Sequence, residues 1–232
     1  MCPMFGKSGQ FAAEPVALYH LVREHSIQDS QSEGNRALST KDRALAAATV
    51  AFASRGVAGT SLDWLARDLG VTKQTILYHF GSKDGLVSAV LSSAAQDLVR
   101  ELQSAVDVSE PGWERVVAAV RASFALAVRR PELLGLLREV NRLGTPWSEM
   151  VLELLRPLIE RAVDDLTDGM ASGRFQPGDP QMVLVSAYAV VTGVVSDAEV
   201  LRAVGLELDL RAAARLRRTL LSFLEAVLMK QQ

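Results

Sequence analysis

Between residues 40 and 86 the chain stops and restarts its helices three times, each stop marked by a glycine. Thr40 is an N-cap for a first helix, with Leu45, Ala48 and Phe52 following at helical spacing, and Gly56 ends it. Thr60 with Asp63 fits a capping box in its Asp form, and Leu62, Leu65 and Leu69 form the inner stripe of a second helix that Gly70 ends. After one residue Thr72 opens a third, whose Ile76 and Phe80 face inward. Gly81 ends it, and Ser82 caps a long fourth. The second and third helices have about seven or eight residues each, too few to persist alone. They hold only if packed on their neighbours, and a short helix pair joined by a tight glycine-containing turn is a helix-turn-helix.

From Ser82 on, the pattern is helical almost to the end. The fourth helix runs to about Val106, and residues 107–112 break it. Helices are expected over 113–130 and 132–143 and from Trp147 on, the last carrying an internal Pro157 that should kink or split it. Residues 171–180 (ASGRFQPGDP) read as a loop, and helices near 180–204 and 208–229 close the chain. The fold class is all-α: an N-terminal three-helix helix-turn-helix domain (38–85) joined to a larger helical domain (86–232). Residues 1–37 form an extension. In it Pro15, Leu18, Leu21 and Val22 suit a short amphipathic helix, and 27–35 a polar linker.

Composition narrows the function. Hydrophobic residues make up 49% and aromatics 6%, a mix suited to closely packed helices. The net charge is −2, so there is no basic coat, yet residues 38–90 hold six Lys/Arg against four Asp/Glu and lean towards phosphate. Cys2 is the one cysteine, so no internal disulfide forms and a reducing cytoplasm fits. No signal peptide is visible, and the apolar run 182–195 is shorter than a membrane span. His20, His25 and His79 form no metal-ligand cluster, and no phosphate loop, nucleophile elbow or paired-acid motif stands out. The chain is therefore expected to be neither an enzyme nor a membrane protein, and to carry no metal or cofactor.

In the third helix Lys73, Gln74 and Leu77 are expected opposite Ile76 and Phe80, with Tyr78 beside them. Lys reads guanine acceptors, Gln pairs with adenine, and an apolar side chain meets a thymine methyl. Thr60, Ser61 and Thr72 stand at helix N-termini, where backbone N–H groups favour anions. Tyr78, His79 and Lys83 add donors for phosphate.

The run 59–91, with its Gly-Thr-Ser opening, Ala-x-x-x-Gly-Val-Thr turn, Thr-x-x-Tyr-x-Phe core and Ser-Lys-Asp-x-Leu, closely resembles the DNA-binding domain of the tetracycline-repressor (TetR) family. The likeness extends back through 44–57. It implies a homodimeric, ligand-responsive transcription regulator, usually a repressor, on a palindromic operator in double-stranded DNA, in the cytoplasm at the nucleoid. It places phosphate contacts on Thr60, Tyr78, His79 and Lys83, and base contacts on Lys73, Gln74 and Leu77. Family members often have Tyr where Leu77 stands, so an apolar contact to a thymine methyl is expected there.

In the larger domain Leu216, Leu220, Phe223, Leu224 and Val227 are expected on one face of the last helix, and Ser186, Ala189 and Gly193 allow close approach in the one before it. The residues alone suit either an internal core or a symmetric four-helix contact; the resemblance selects a homodimer through the last two helices. Arg121, Phe124, Leu137, Trp147, Tyr188 and Thr192 are the candidates for a mostly apolar small-molecule site. A ligand favouring one arrangement of this domain would move the long fourth helix and respace the two recognition helices. The alternative is that this domain binds a protein partner and no small molecule, as in chromosome organisation or cell division.

Overall fold

The computed structural model describes residues 39–196, 203, 205 and 210–229. Among them run nine α-helices and no strand: α1 (Thr40–Arg55), α2 (Leu62–Leu69), α3 (Lys73–Phe80), α4 (Lys83–Asp107), α5 (Trp113–Arg129), α6 (Glu132–Leu143), α7 (Trp147–Ala171), α8 (Pro180–Ser196) and α9 (Leu210–Leu228). The all-helical class expected from the sequence is observed. Cys2, His20, His25 and the helix and linker expected before residue 37 lie outside the described residues. The chain divides into two compact units between Val87 and Ser88, inside α4, against an expected boundary after residue 85.

In the first unit α1, α2 and α3 pack on one another. The cap of α1 is Ser39 and not Thr40: Ser39 has extended backbone and its hydroxyl accepts from Asp42 N at 3.2 Å, whereas Thr40 is already helical. Ala44, Ala48, Ala51 and Phe52 are buried, with Leu45 at the edge of the stripe. Alanines on this face let the two short helices approach closely. Leu62, Leu65, Ala66, Ile76, Leu86 and Val87 complete the core.

In the second unit α5, α8 and α9 share a core of Val120, Phe124, Leu220 and Leu224, against which Val116, Ala187, Val190 and Leu216 pack. The expected stripe on α9 therefore divides. Leu220 and Leu224 turn inward, while Phe223 and Val227 stay exposed. The stripe covers more of the helix than one neighbour can bury, and α5 takes only part of it. Pro157 does not split α7, which is one helix of 25 residues. The proline is exposed, so the carbonyl it leaves without a donor is close to solvent. The loop after α7 is not merely solvated: Phe175 is buried with Leu166 and Leu228, and Phe175 N donates to Gly169 O at 2.9 Å.

Candidate functional site

The site is built around a three-residue turn. Gly70 adopts the left-handed conformation (φ 66°, ψ 33°), and Val71 N donates back to Ala66 O at 3.0 Å, which closes α2. Thr72 then caps α3, its hydroxyl accepting from Thr75 N at 3.1 Å. Arg43 of α1 donates to Leu69 O at 3.0 Å and covers a terminal carbonyl of α2. Arg55 lies over the Trp64 ring, 4.4 Å from its centroid. The short helices are thus fixed at their ends as well as by their apolar faces.

On α3, Ile76 is 1% exposed and sets the inward direction. Gln74 and Tyr78 point away from it, and Tyr78 is 85% exposed. Leu77 and Phe80 are half-buried, so Leu77 flanks the outward face and does not lie at its centre. The Tyr78 and His79 rings meet edge-on, with centroids 5.2 Å apart. Lys73 is exposed but engaged: its Nζ lies 2.9 Å from Asp63 Oδ2 on α2. Lys83 is half-buried in the first turn of α4, after Ser82, whose hydroxyl accepts from Gly85 N at 2.9 Å.

Thr60 does not belong to this surface. Its side chain is fully buried, its hydroxyl donates to Gly56 O at 2.9 Å, and its N–H donates to Val57 O. The cap of α2 is Ser61, exposed, whose hydroxyl accepts from Trp64 N at 3.1 Å. The expected Thr60–Asp63 capping box is therefore replaced by a Ser61 cap and an Asp63–Lys73 ion pair. Thr and Ser are adjacent and both suit a cap; the Thr60 methyl and hydroxyl fit the interior, and Ser61 is left to face water.

The surface so formed carries three capped helix N-termini, a protruding tyrosine, a free amide and two lysines. That set suits phosphate and base edges. The model of the family described as "Bacterial regulatory proteins, tetR family" matches residues 44–90, the segment containing this helix pair. Residues 44–90 carry a TetR-family DNA-binding domain. The chain's function class is that of the family, a helix-turn-helix transcriptional regulator. The regulator is 28% identical over 141 residues to the transcriptional repressor KstR2 of Mycolicibacterium smegmatis, covering 60% of this chain and 69% of that one. Its fold is similar to that of the ketosteroid transcriptional regulator KstR2 of Mycobacterium tuberculosis (TM-score 0.70, 20% identity, 85% of this chain and 99% of that one). It is also similar to that of FadR from Bacillus subtilis in complex with stearoyl-CoA (TM-score 0.66, 17% identity, 78% and 95%).

The described members of the six residues expected to make a ligand site differ in their exposure. Phe124 is a filler of the α5–α8–α9 core. Arg121 is exposed, and Tyr188 is 53% exposed. Leu137 on α6 and Trp147 at the start of α7 are half-buried, and the Thr192 side chain lies outside the described residues. Helical spacing assigns each of these to a helix and says nothing of a common side. Two depressions in this unit, one lined by Gln96, Val99, Arg100, Gln103 and Leu154 and one along the outer face of α9, are open to solvent and contain none of the six. No helix among the described residues is long and apolar enough to cross a membrane.

Proposed function

We propose that this regulator is a homodimeric repressor that leaves a palindromic operator when a small apolar or amphipathic molecule binds its second unit. The observation that carries the DNA part is the outward pair Gln74 and Tyr78 on a capped, anchored α3, flanked by Lys73 and Leu77. Gln74 is aimed to pair with adenine and Lys73 with guanine, and Leu77 flanks them for a thymine methyl. Ser61, Thr72, Tyr78, His79 and Lys83 supply phosphate contacts. Selecting sites from random duplexes should return a two-fold symmetric motif. Gln74→Ala should relax preference at one position per half-site, costing about 1–3 kcal/mol of discrimination there. Lys83→Ala should weaken all duplexes alike and flatten the salt slope by about one unit. Unchanged base preference in Gln74→Ala would remove α3 as the reading element.

The dimer contact is assigned to α8 and α9. Met182, Val185 and Tyr188 on α8 and Phe223 and Val227 on α9 are large, apolar and exposed, a concentration that in these two helices calls for a cover. The ligand response uses α4, which is continuous from the first unit into the second. In the second unit Asp97 pairs with Arg130 at 2.7 Å and Glu101 with Arg129 at 2.9 Å, tying α4 to the C-terminal end of α5. Movement of α5 on ligand binding then reaches α4.

The two open depressions favour a second reading, in which the helical unit recognises a protein. Thermal-shift screening with steroids, acyl-CoA thioesters and short amphiphiles separates the two. A molecule that raises the melting temperature and lowers operator affinity supports the first reading. Stabilisation by none of them supports the second.

A further inference from the structure

Lys73 occupies the first position of α3, where backbone N–H groups and the helix dipole favour an anion. A cation there is locally the wrong charge. Asp63 stands in the first turn of α2, where an acid is favoured, and its carboxylate takes the Lys73 ammonium at 2.9 Å. Both side chains are well exposed, at 49% and 62%. Such a pair contributes little to stability, and it places a carboxylate on the surface that meets a polyanion. The dipole of α2 accounts for the acid; the cation at the start of α3 is the part the fold does not explain.

We infer that Asp63 is a specificity-determining residue of the DNA interface: it holds Lys73 against α2 and yields it only to an acceptor in the right place. The inference rests on α3 being the reading helix. On an arbitrary duplex, Lys73 exchanges Asp63 for a phosphate oxygen and leaves the carboxylate facing the backbone, so the exchange returns almost nothing. On the operator, guanine acceptors held in register by the neighbouring contacts take the ammonium in a fixed geometry. Asp63 thus opposes sequence-independent binding more than it opposes operator binding.

The test compares wild type, Asp63→Asn, Lys73→Ala and the double variant on the selected operator and on a scrambled duplex, across a salt series. Asp63→Asn should tighten binding to the scrambled duplex and change operator affinity much less, lowering the ratio between them. Its salt slope on the scrambled duplex should steepen by about 0.9, the value of one added phosphate contact. The gain should then be about 3.5-fold larger near ~50 mM than near ~200 mM salt. In the Lys73→Ala background Asp63→Asn should have a smaller effect, equal on the two duplexes, because only the carboxylate's repulsion of the backbone is left to remove. Equal tightening on both duplexes, or an effect undiminished by Lys73→Ala, overturns the inference and leaves the reading helix intact. Wild-type protein that does not distinguish the two duplexes overturns both. Asp63 is exposed and Ser61 supplies the cap, so the variant folds; a melting curve within a few degrees of wild type checks this.

Discussion

Replacing Thr60 by Val separates a structural role from a DNA contact at a position where sequence resemblance and structure disagree. The side chain is fully buried, and its hydroxyl donates to Gly56 O at 2.9 Å, with Ala51 O further off at 3.4 Å. Val keeps the shape but faces the Gly56 carbonyl with a methyl group. Losing that bond and leaving a part-buried acceptor without its donor costs about 1–2 kcal/mol. For a chain of this size the melting temperature falls by about 2–4 °C per kcal/mol. Thr60→Ser keeps the hydroxyl and loses one methyl, at about 1 kcal/mol. Circular dichroism melts give the stability arm. Fluorescence anisotropy with the selected operator, well below the transition, gives the binding arm. The structure requires a lower melting temperature for Val and an operator affinity within about twofold of wild type, since ~0.4 kcal/mol covers that factor. A variant that melts like wild type but loses operator affinity tenfold would show that Thr60 touches phosphate, and would refute the burial argument.

Three further outcomes are expected. Gly70→Ala should destabilise the first unit by about 1–2 kcal/mol, the cost of a Cβ in the left-handed region, and should weaken operator binding as α3 shifts; melting and anisotropy measure both. Phe175→Ala should cost about 3–5 kcal/mol, seen by calorimetry, because the ring fills a cluster with Leu166 and Leu228 and lies over Gly169. Phe223→Glu, at an exposed apolar position on α9, should convert a dimer to a monomer in light scattering and reduce operator affinity more than 10-fold, roughly the 1.4 kcal/mol equivalent or beyond.

What was legible in the sequence follows the range of the interaction. Gly70, Thr72, Gly81 and Ser82 act on backbone within four residues, so the turn and the limits of α3 were readable. Ser61 against Thr60, and Ser39 against Thr40, were not: both members of each pair suit a cap, and only packing against α1 or the first helical dihedral decides. Leu216, Leu220, Phe223, Leu224 and Val227 read as one stripe because periodicity records a face and not its partner. The core of α5 and α8 takes Leu220 and Leu224 and leaves Phe223 and Val227 outside. Phe175 sits between Gly, Pro and Asp in a loop, where no periodicity marks it as core. The ligand candidates meet the same limit as the stripe. Their helical positions were sound, but nothing along the chain encodes the angle between helices.

Local rules are most informative where the chain breaks them. Lys73 at a helix N-terminus and Tyr78 at 85% exposure are both poor choices for a helix that must only fold. Ile76, Thr72 and Gly70 are good choices, and they carry the folding requirement of α3. Within the eight residues of α3 the buried Ile76 lies between the exposed Lys73 and Tyr78, so one helix satisfies packing with one side and leaves the other side for a partner. An acid ten residues upstream, Asp63, compensates the misplaced lysine at 2.9 Å. If Lys73 were retained only to balance Asp63, replacing both with neutral residues would leave operator recognition unchanged. If it is retained for DNA, the doubly neutral protein folds as well as wild type and loses its preference at the lysine-facing base. The second outcome is the one expected if α3 reads the operator.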